Sequence, residues 1–205
     1  MTSRRASLEL RCKVCRINEK LCVCAELKPL ETKTLVSLVV HVRELKLSSN
    51  TAQFLQLMLP QNAETFIRGR VFENFTPDEI VKRPGRPLFL YPAEDSQELN
   101  AEFLSNNPGP YHLIVPDGNW HQARRVRKRE EAFAAMPAVR LPSGITGEYY
   151  LRRAPQPEWV STYESVAHAL GILDGEKVRD DLMRFFRIWV KRTLYNRTGF
   201  SKFLD

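Results

Sequence analysis

The sequence predicts an α/β fold, a mostly parallel sheet flanked by helices, with a zinc-binding segment at the N-terminal end. Three observations predict it. From residue 31 onward, apolar runs of strand length alternate with segments of helical period, the pattern of a parallel sheet built from crossover units. All four cysteines fall between residues 12 and 24, which confines metal chemistry to one short segment. A chain of 205 residues with 43% hydrophobic and 27% charged side chains suits one medium-sized domain with an appendage and excludes wholesale disorder. The predicted division is residues 1–30 for the cysteine segment and 31–205 for the main domain.

Cys12, Cys15, Cys22 and Cys24 stand in a C-x2-C-x6-C-x-C arrangement. Two close pairs across a short loop can converge on one tetrahedral ion, and all-thiolate sites are a common structural home for zinc. The segment has too few apolar residues to fold unaided, so a metal would supply what its core cannot. Arg11, Lys13, Arg16 and Lys20 would offset the charge of four thiolates. Because four thiolates leave no position open for a substrate, the predicted role is structural.

Beyond Pro29, "TLVSLVVHV" reads as a buried strand, "NTAQFLQLML" as a helix, "PLFLYP" as a strand and "SQELNAEFL" as a helix. "YHLIV" is a strand, "NWHQARRVRKREEAFAAM" one helix, "AVRL" a short strand and "EYYLRR" another. Two helices close the chain, "ESVAHALGIL" and "DDLMRFFRIWVKRTL". In the second, Leu182, Phe185, Phe186, Trp189 and Val190 recur at the spacing of a core-facing stripe. Arg184, Arg187 and Lys191 lie off that stripe, on a face open to nucleic acid or simply to solvent. Helix starts carry their own signals: Ser161 with Glu164 and Asp95 with Glu98 fit capping boxes, and Ser49 or Asn50 can cap the first helix. Ligands of parallel sheets sit beyond the carboxyl ends of the strands. Attention therefore goes to the loops that begin near His41, Tyr91, Pro116 and Pro155.

Lysine and arginine number 31 against 24 acidic residues, a net charge of +7, which favours polyanionic partners. Clustering strengthens this: His121, Arg124, Arg125 and Lys128 follow Trp120 at helical spacing and form one basic stripe suited to a phosphate backbone. The plainer reading is a solvated face, with Arg127 paired to Glu131. No apolar stretch marks a signal peptide or a membrane span, so a cytoplasmic location without membrane attachment is the expectation. No glycine-rich dinucleotide or P-loop motif is present.

"VPDGNWHQARRVRKR" poses the main question. Asp117 and Asn119 both suit a helix N-cap, but one cap suffices. One of the two is therefore free for other work.

Together these residues resemble the DTW-domain family, the tRNA-uridine aminocarboxypropyltransferases. The resemblance rests on the cysteine segment and on "SSNTAQFLQL", "LYPAEDSQEL", "LIVPDGNWHQARRV" and "YYLRRAPQPEWVSTYESVAHAL", so it covers nearly the whole chain. The family's D-x-T-W motif is matched by Asp117, Gly118, Asn119 and Trp120, with Asn119 where the family has threonine.

The resemblance implies kinship with knotted RNA methyltransferases, hence a knot-like threading toward the C-terminal part. It implies S-adenosylmethionine as donor, N3 of a tRNA uridine as acceptor, and methylthioadenosine as leaving product. On this footing Asp117 is the candidate general base. The expected donor pocket comprises Tyr91, Pro116, Gly118, Trp120, Leu151, Ser161, Thr162 and Glu164. Trp120 would stack on a base or pack beneath the loop, and Glu164 would bind the donor's amino group or only complete its capping box. Arg152 would meet a carboxylate or phosphate, and Asn50 and Thr51 would touch RNA or the donor. No obligatory protein partner is evident. Two rivals remain: an S-adenosylmethionine-dependent RNA methyltransferase and a non-catalytic zinc-containing RNA-binding protein.

Overall fold

A computed structural model describes residues 11–47, 49–70, 75–118, 120–151 and 159–199, with the backbone alone at Lys46, Trp120 and His121. Six strands, β1 (Leu35–His41), β2 (Ala63–Arg68), β3 (Arg86–Leu90), β4 (Gln97–Glu98), β5 (Tyr111–Asp117) and β6 (Ala138–Arg140), form one sheet in the order β2-β1-β5-β3-β6-β4. Every pairing in it is parallel. The helices are α1 (Gln53–Met58), α2 (Pro77–Val81), α3 (Ala101–Asn106), α4 (Trp120–Arg129), α5 (Glu131–Ala134), α6 (Thr162–Leu173) and α7 (Glu176–Thr198).

The period-2 geometry of a strand divides each central strand between two cores. Val36, Leu38 and Val40 of β1, Leu88 and Leu90 of β3, and Leu113 and Val115 of β5 face the larger core. Val39, Phe89 and Ile114 face a smaller one with Ile80, Val126 and Phe133 of α2, α4 and α5. The larger core takes Phe54 of α1, Tyr163 and Val166 of α6, and the whole predicted stripe of α7 from Leu182 to Val190. There Tyr163 stacks on Phe186 at 5.1 Å and Phe54 meets Trp189 at 5.1 Å. Cys15, Ile17 and Val23 enter this same core, and Arg192 of α7 clasps the cysteine segment through the Cys22 carbonyl at 2.7 Å and the Glu26 carboxylate at 3.0 Å.

Several sequence expectations are corrected. "EYYLRR" supplies no strand in its described part, residues 148–151. Tyr149 instead stacks on Trp189 with ring centroids 6.0 Å apart and donates its hydroxyl to the Ser49 carbonyl at 2.5 Å. "SQELNAEFL" divides: Gln97 and Glu98 pair with β6 as β4, and α3 starts after Asn100, whose side chain accepts from Phe103 N. The Asp95–Glu98 capping box therefore does not form. The long helix ending at Met136 breaks at Glu130, which has extended backbone, into α4 and α5. Strand β2 and helix α2 were not foreseen.

At the end of the sheet remote from the strand carboxyl termini, His112 is fully buried. Its Nε2 lies 2.8 Å from Ser37 Oγ, which also accepts from Arg83 Nη1 at 2.8 Å. Burial, and then the charge of Arg83, push the imidazole down to about 4 from an ordinary 6.5. Between these values the unfolded chain takes a proton that the folded one refuses. The stabilisation is thus present above about 6.5 and lost as pH falls toward 4, an effect of at most about 3 kcal/mol. Denaturant titrations across that window should show His112→Asn with a flatter pH slope than the parent. Identical slopes would contradict the assignment.

Candidate active site

Above the carboxyl ends of β1, β5, β3 and β6 lies a cleft of about 1250 Å³. Four connections build it. The segment after β1 contributes Glu44, Asn50 and Thr51; the end of β3 contributes Leu90 and Tyr91; β5 contributes Val115 to Asp117, with Gly118 beyond; and β6 leads into residues 140–147. Trp159 and the start of α6, Ser161, Thr162 and Ser165, close the wall.

Asp117, the last residue of β5, is only 6% exposed. Its Oδ2 accepts from Asn50 Nδ2 at 2.8 Å and its Oδ1 from Thr162 Oγ1 at 2.6 Å. Asn50 is itself immobilised: its Oδ1 accepts from Gln53 N at 3.1 Å at the start of α1, and its Nδ2 also donates to the Glu44 carbonyl at 3.3 Å. The residue foreseen as a helix cap is therefore also what orients the carboxylate. Thr51 accepts from Tyr163 N through Oγ1 at 3.3 Å, which ties the first loop to α6.

Among the other predicted donor contacts, Tyr91, Pro116, Gly118, Ser161 and Thr162 line the cleft, whereas Leu151 and Glu164 do not. Leu151 packs against the larger core. Glu164 is fully buried and completes the capping box of α6: its Oε2 accepts from Ser161 N at 2.7 Å and its Oε1 from Glu148 N at 2.5 Å. Burial pushes its carboxyl up despite those bonds. Asn119 and Arg152 lie outside the described residues, and Trp120 and His121 are placed only as the first residues of α4.

Arg124, Arg125 and Lys128 are exposed on α4. Arg127 binds Asp95 through two bonds of 2.6 and 2.7 Å, not Glu131. Arg124 is near enough to Tyr91 to favour its ionised form, although burial outweighs this and raises the phenol. The basic stripe thus begins beside the cleft mouth. Arg187 is held by Glu148 at 2.6 and 2.7 Å. Sequence reasoning did not single out Glu44, Arg140 or the run from Leu141 to Gly147 as cleft residues. That run follows a strand of only three residues, and no helix signal comes directly after it.

The four cysteine sulfurs all lie within 4.8 Å of one another and are free thiols. Burial raises the Cys15 and Cys24 thiols; a cation among them would reverse that preference, since a coordinating thiol is deprotonated. The donor set can hold one metal ion. Arg16, at the tip of this segment with a φ of 62°, donates through Nη1 to the Leu45 carbonyl at 2.7 Å. It thereby joins the cysteine segment to the turn that carries Glu44.

Compared with known proteins, residues 9–194 match the model of a family described as DTW domain. The chain is 29% identical to "tRNA-uridine aminocarboxypropyltransferase 2" of Macaca fascicularis, over 84% of this chain and 60% of that protein. It is 29% identical to the protein of that name in Drosophila melanogaster, over 91% and 76% respectively. "tRNA-uridine aminocarboxypropyltransferase A" of Arabidopsis thaliana is 26% identical over 88% and 79%. The chain thus spans about three fifths of the macaque protein's length. No solved structure matches it.

Proposed function

The chain belongs to the DTW domain family, and from this we propose that it transfers the 3-amino-3-carboxypropyl group of S-adenosylmethionine to N3 of a tRNA uridine, releasing methylthioadenosine. The relatives' names supply the group and its acceptor. The observation that carries the reading is Asp117, buried at the floor of the cleft and held from both sides by Asn50 and Thr162.

Pockets for one drug-sized ligand span roughly 300–1,000 Å³, so a cleft of about 1250 Å³ has room for a nucleoside donor and a base turned out of its stack. The apolar walls at Leu90, Val115 and Leu141 suit aromatic rings. The donor supplies a γ-carbon made electrophilic by the neighbouring sulfonium. Uridine N3 is a poor nucleophile while it carries its proton. Asp117 takes that proton as N3 bonds to the γ-carbon; the carbon–sulfur bond breaks and its electron pair stays on sulfur as a neutral thioether. The chain's contribution is alignment, since the sulfonium also activates the methyl carbon and only positioning decides which carbon reacts.

Zinc on Cys12, Cys15, Cys22 and Cys24 completes the proposal as a structural ion, with every ligand position filled by thiolate. The deciding assay incubates unmodified tRNA with the donor and identifies the nucleoside formed. Aminocarboxypropyl-uridine supports the reading. A methylated base would make the protein a methyltransferase, and binding of tRNA without any transfer would make it a non-catalytic RNA-binding protein.

The basic stripe of α4 provides a separate expectation. Arg124→Ala together with Arg125→Ala should weaken tRNA binding and lower the slope of log affinity against log salt by about 2, as for two lost phosphate contacts. S-adenosylhomocysteine affinity should stay the same. An unchanged salt slope in a filter-binding titration would place the tRNA elsewhere.

A further inference from the structure

Glu98 and Arg140 are register partners in the parallel β4–β6 pair, so their side chains leave the same face of the sheet on strands about 4.8 Å apart. Both line the cleft, and both are half-buried. Despite this adjacency they do not close on each other. Arg140 donates through Nη1 to the Ser96 carbonyl, and among the described residues neither side chain belongs to an ion pair. A neighbouring anion and cation that both face a cavity suit a ligand carrying both charges on one carbon.

We propose that Glu98 and Arg140 form the subsite for the amino-acid end of the donor. Arg140 donates to the α-carboxylate and Glu98 accepts from the α-ammonium. The assignment rests on the function proposed above and adds the location of the transferred group. β6 lies two strands from β5 in the sheet, roughly 10 Å across its edge. The contact between N3 and the γ-carbon and the three-carbon chain of the transferred group together cover that distance, while the guanidinium itself turns to the Ser96 carbonyl on the β4 side. A sugar diol would engage Glu98 alone and use no cation; a zwitterion uses both charges. Anchoring the charged end also fixes the γ-carbon, so binding energy remote from the reacting bond serves its alignment.

The test compares two ligands by calorimetry. S-adenosylhomocysteine carries the amino-acid end and methylthioadenosine lacks it, while both share the adenosine thioether. Arg140→Gln should weaken S-adenosylhomocysteine about 10- to 100-fold, the usual weight of a hydrogen bond to a charged group, and leave methylthioadenosine within about twofold. Arg140→Lys should recover part of the loss, and Glu98→Gln should act in the same direction as Arg140→Gln. The methylthioadenosine arm doubles as the control for folding. Equal losses for both ligands, or unchanged S-adenosylhomocysteine binding, would overturn the subsite alone. A parent protein that binds neither ligand would remove the proposed function and the subsite with it.

Discussion

Asp117→Asn is expected to lower transfer by about 10²- to 10⁴-fold, the usual worth of a positioned general base, while the protein stays folded and binds S-adenosylhomocysteine. The surroundings of the carboxylate explain why the fold should survive. Asn50 cannot reverse its amide without breaking the bonds to Gln53 N and the Glu44 carbonyl, so an asparagine at 117 must present its oxygen to Asn50 Nδ2. Its new NH2 group then faces Thr162, whose hydroxyl can rotate from donor to acceptor. Asn50 and Thr162 thus both keep a partner, and the main cost falls on the reaction. Toward the cleft the change is severe, because an amide cannot take the N3 proton. Single-turnover transfer measured alongside donor-analogue binding checks the expectation. Full activity in the variant would remove Asp117 as base; loss of binding together with loss of transfer would make it a positioning residue.

The second large effect concerns the cysteines. If a metal is bound at 1,000 times its dissociation constant, its removal costs about 4 kcal/mol, and at this chain length that lowers the melting temperature by about 8–16 °C. Cys15→Ser should show at least this fall, since Cys15 is fully buried within the larger core and its replacement also disturbs packing. Cys12→Ser separates the two effects, because Cys12 is half-buried at the edge of that core. It should lose the metal with little packing cost. Chelator added to the parent protein should reproduce the Cys12→Ser melting curve. Because Ile17 and Val23 sit in the same core as α7, melting should remain a single transition. Insensitivity of the parent to chelator, with no metal by elemental analysis, would exclude the site.

Which features were legible depends on how local their causes are. The stripe from Leu182 to Val190 and the buried runs of β1 and β5 are periodic in sequence, and the structure uses all of them. Strand β2 escaped because it lies at the sheet's edge, paired on one flank only among the described residues, with Glu64 exposed and burial partial from Thr65 to Arg68. "EYYLRR" misled for the converse reason. Its paired tyrosines suit a strand by propensity, but Tyr149 is partly buried by stacking on Trp189 from a distant helix while Tyr150 is 71% exposed.

At the site, two caps competing for one helix start left Asp117 or Asn119 free, and the resemblance to the family singled out Asp117. The role of Asn50 could not, since its contact with Asp117 spans 67 residues and depends on β1 lying beside β5. Glu98 and Arg140 were hidden in the same way. They become neighbours only through the β4–β6 pairing, and local capping logic assigned Glu98 to a helix start.

The bond from Arg16 to the Leu45 carbonyl has a consequence for how the two ends of the molecule communicate. Leu45 follows Glu44, whose carbonyl holds Asn50, and Asn50 holds Asp117. A short relay of hydrogen bonds therefore runs from the cysteine loop to the acid at the cleft floor. Thermodynamic linkage makes any such relay work in both directions with equal strength: with a metal on the thiols and a donor in the cleft, as proposed, whatever the metal adds to donor affinity the donor would return as tighter metal binding.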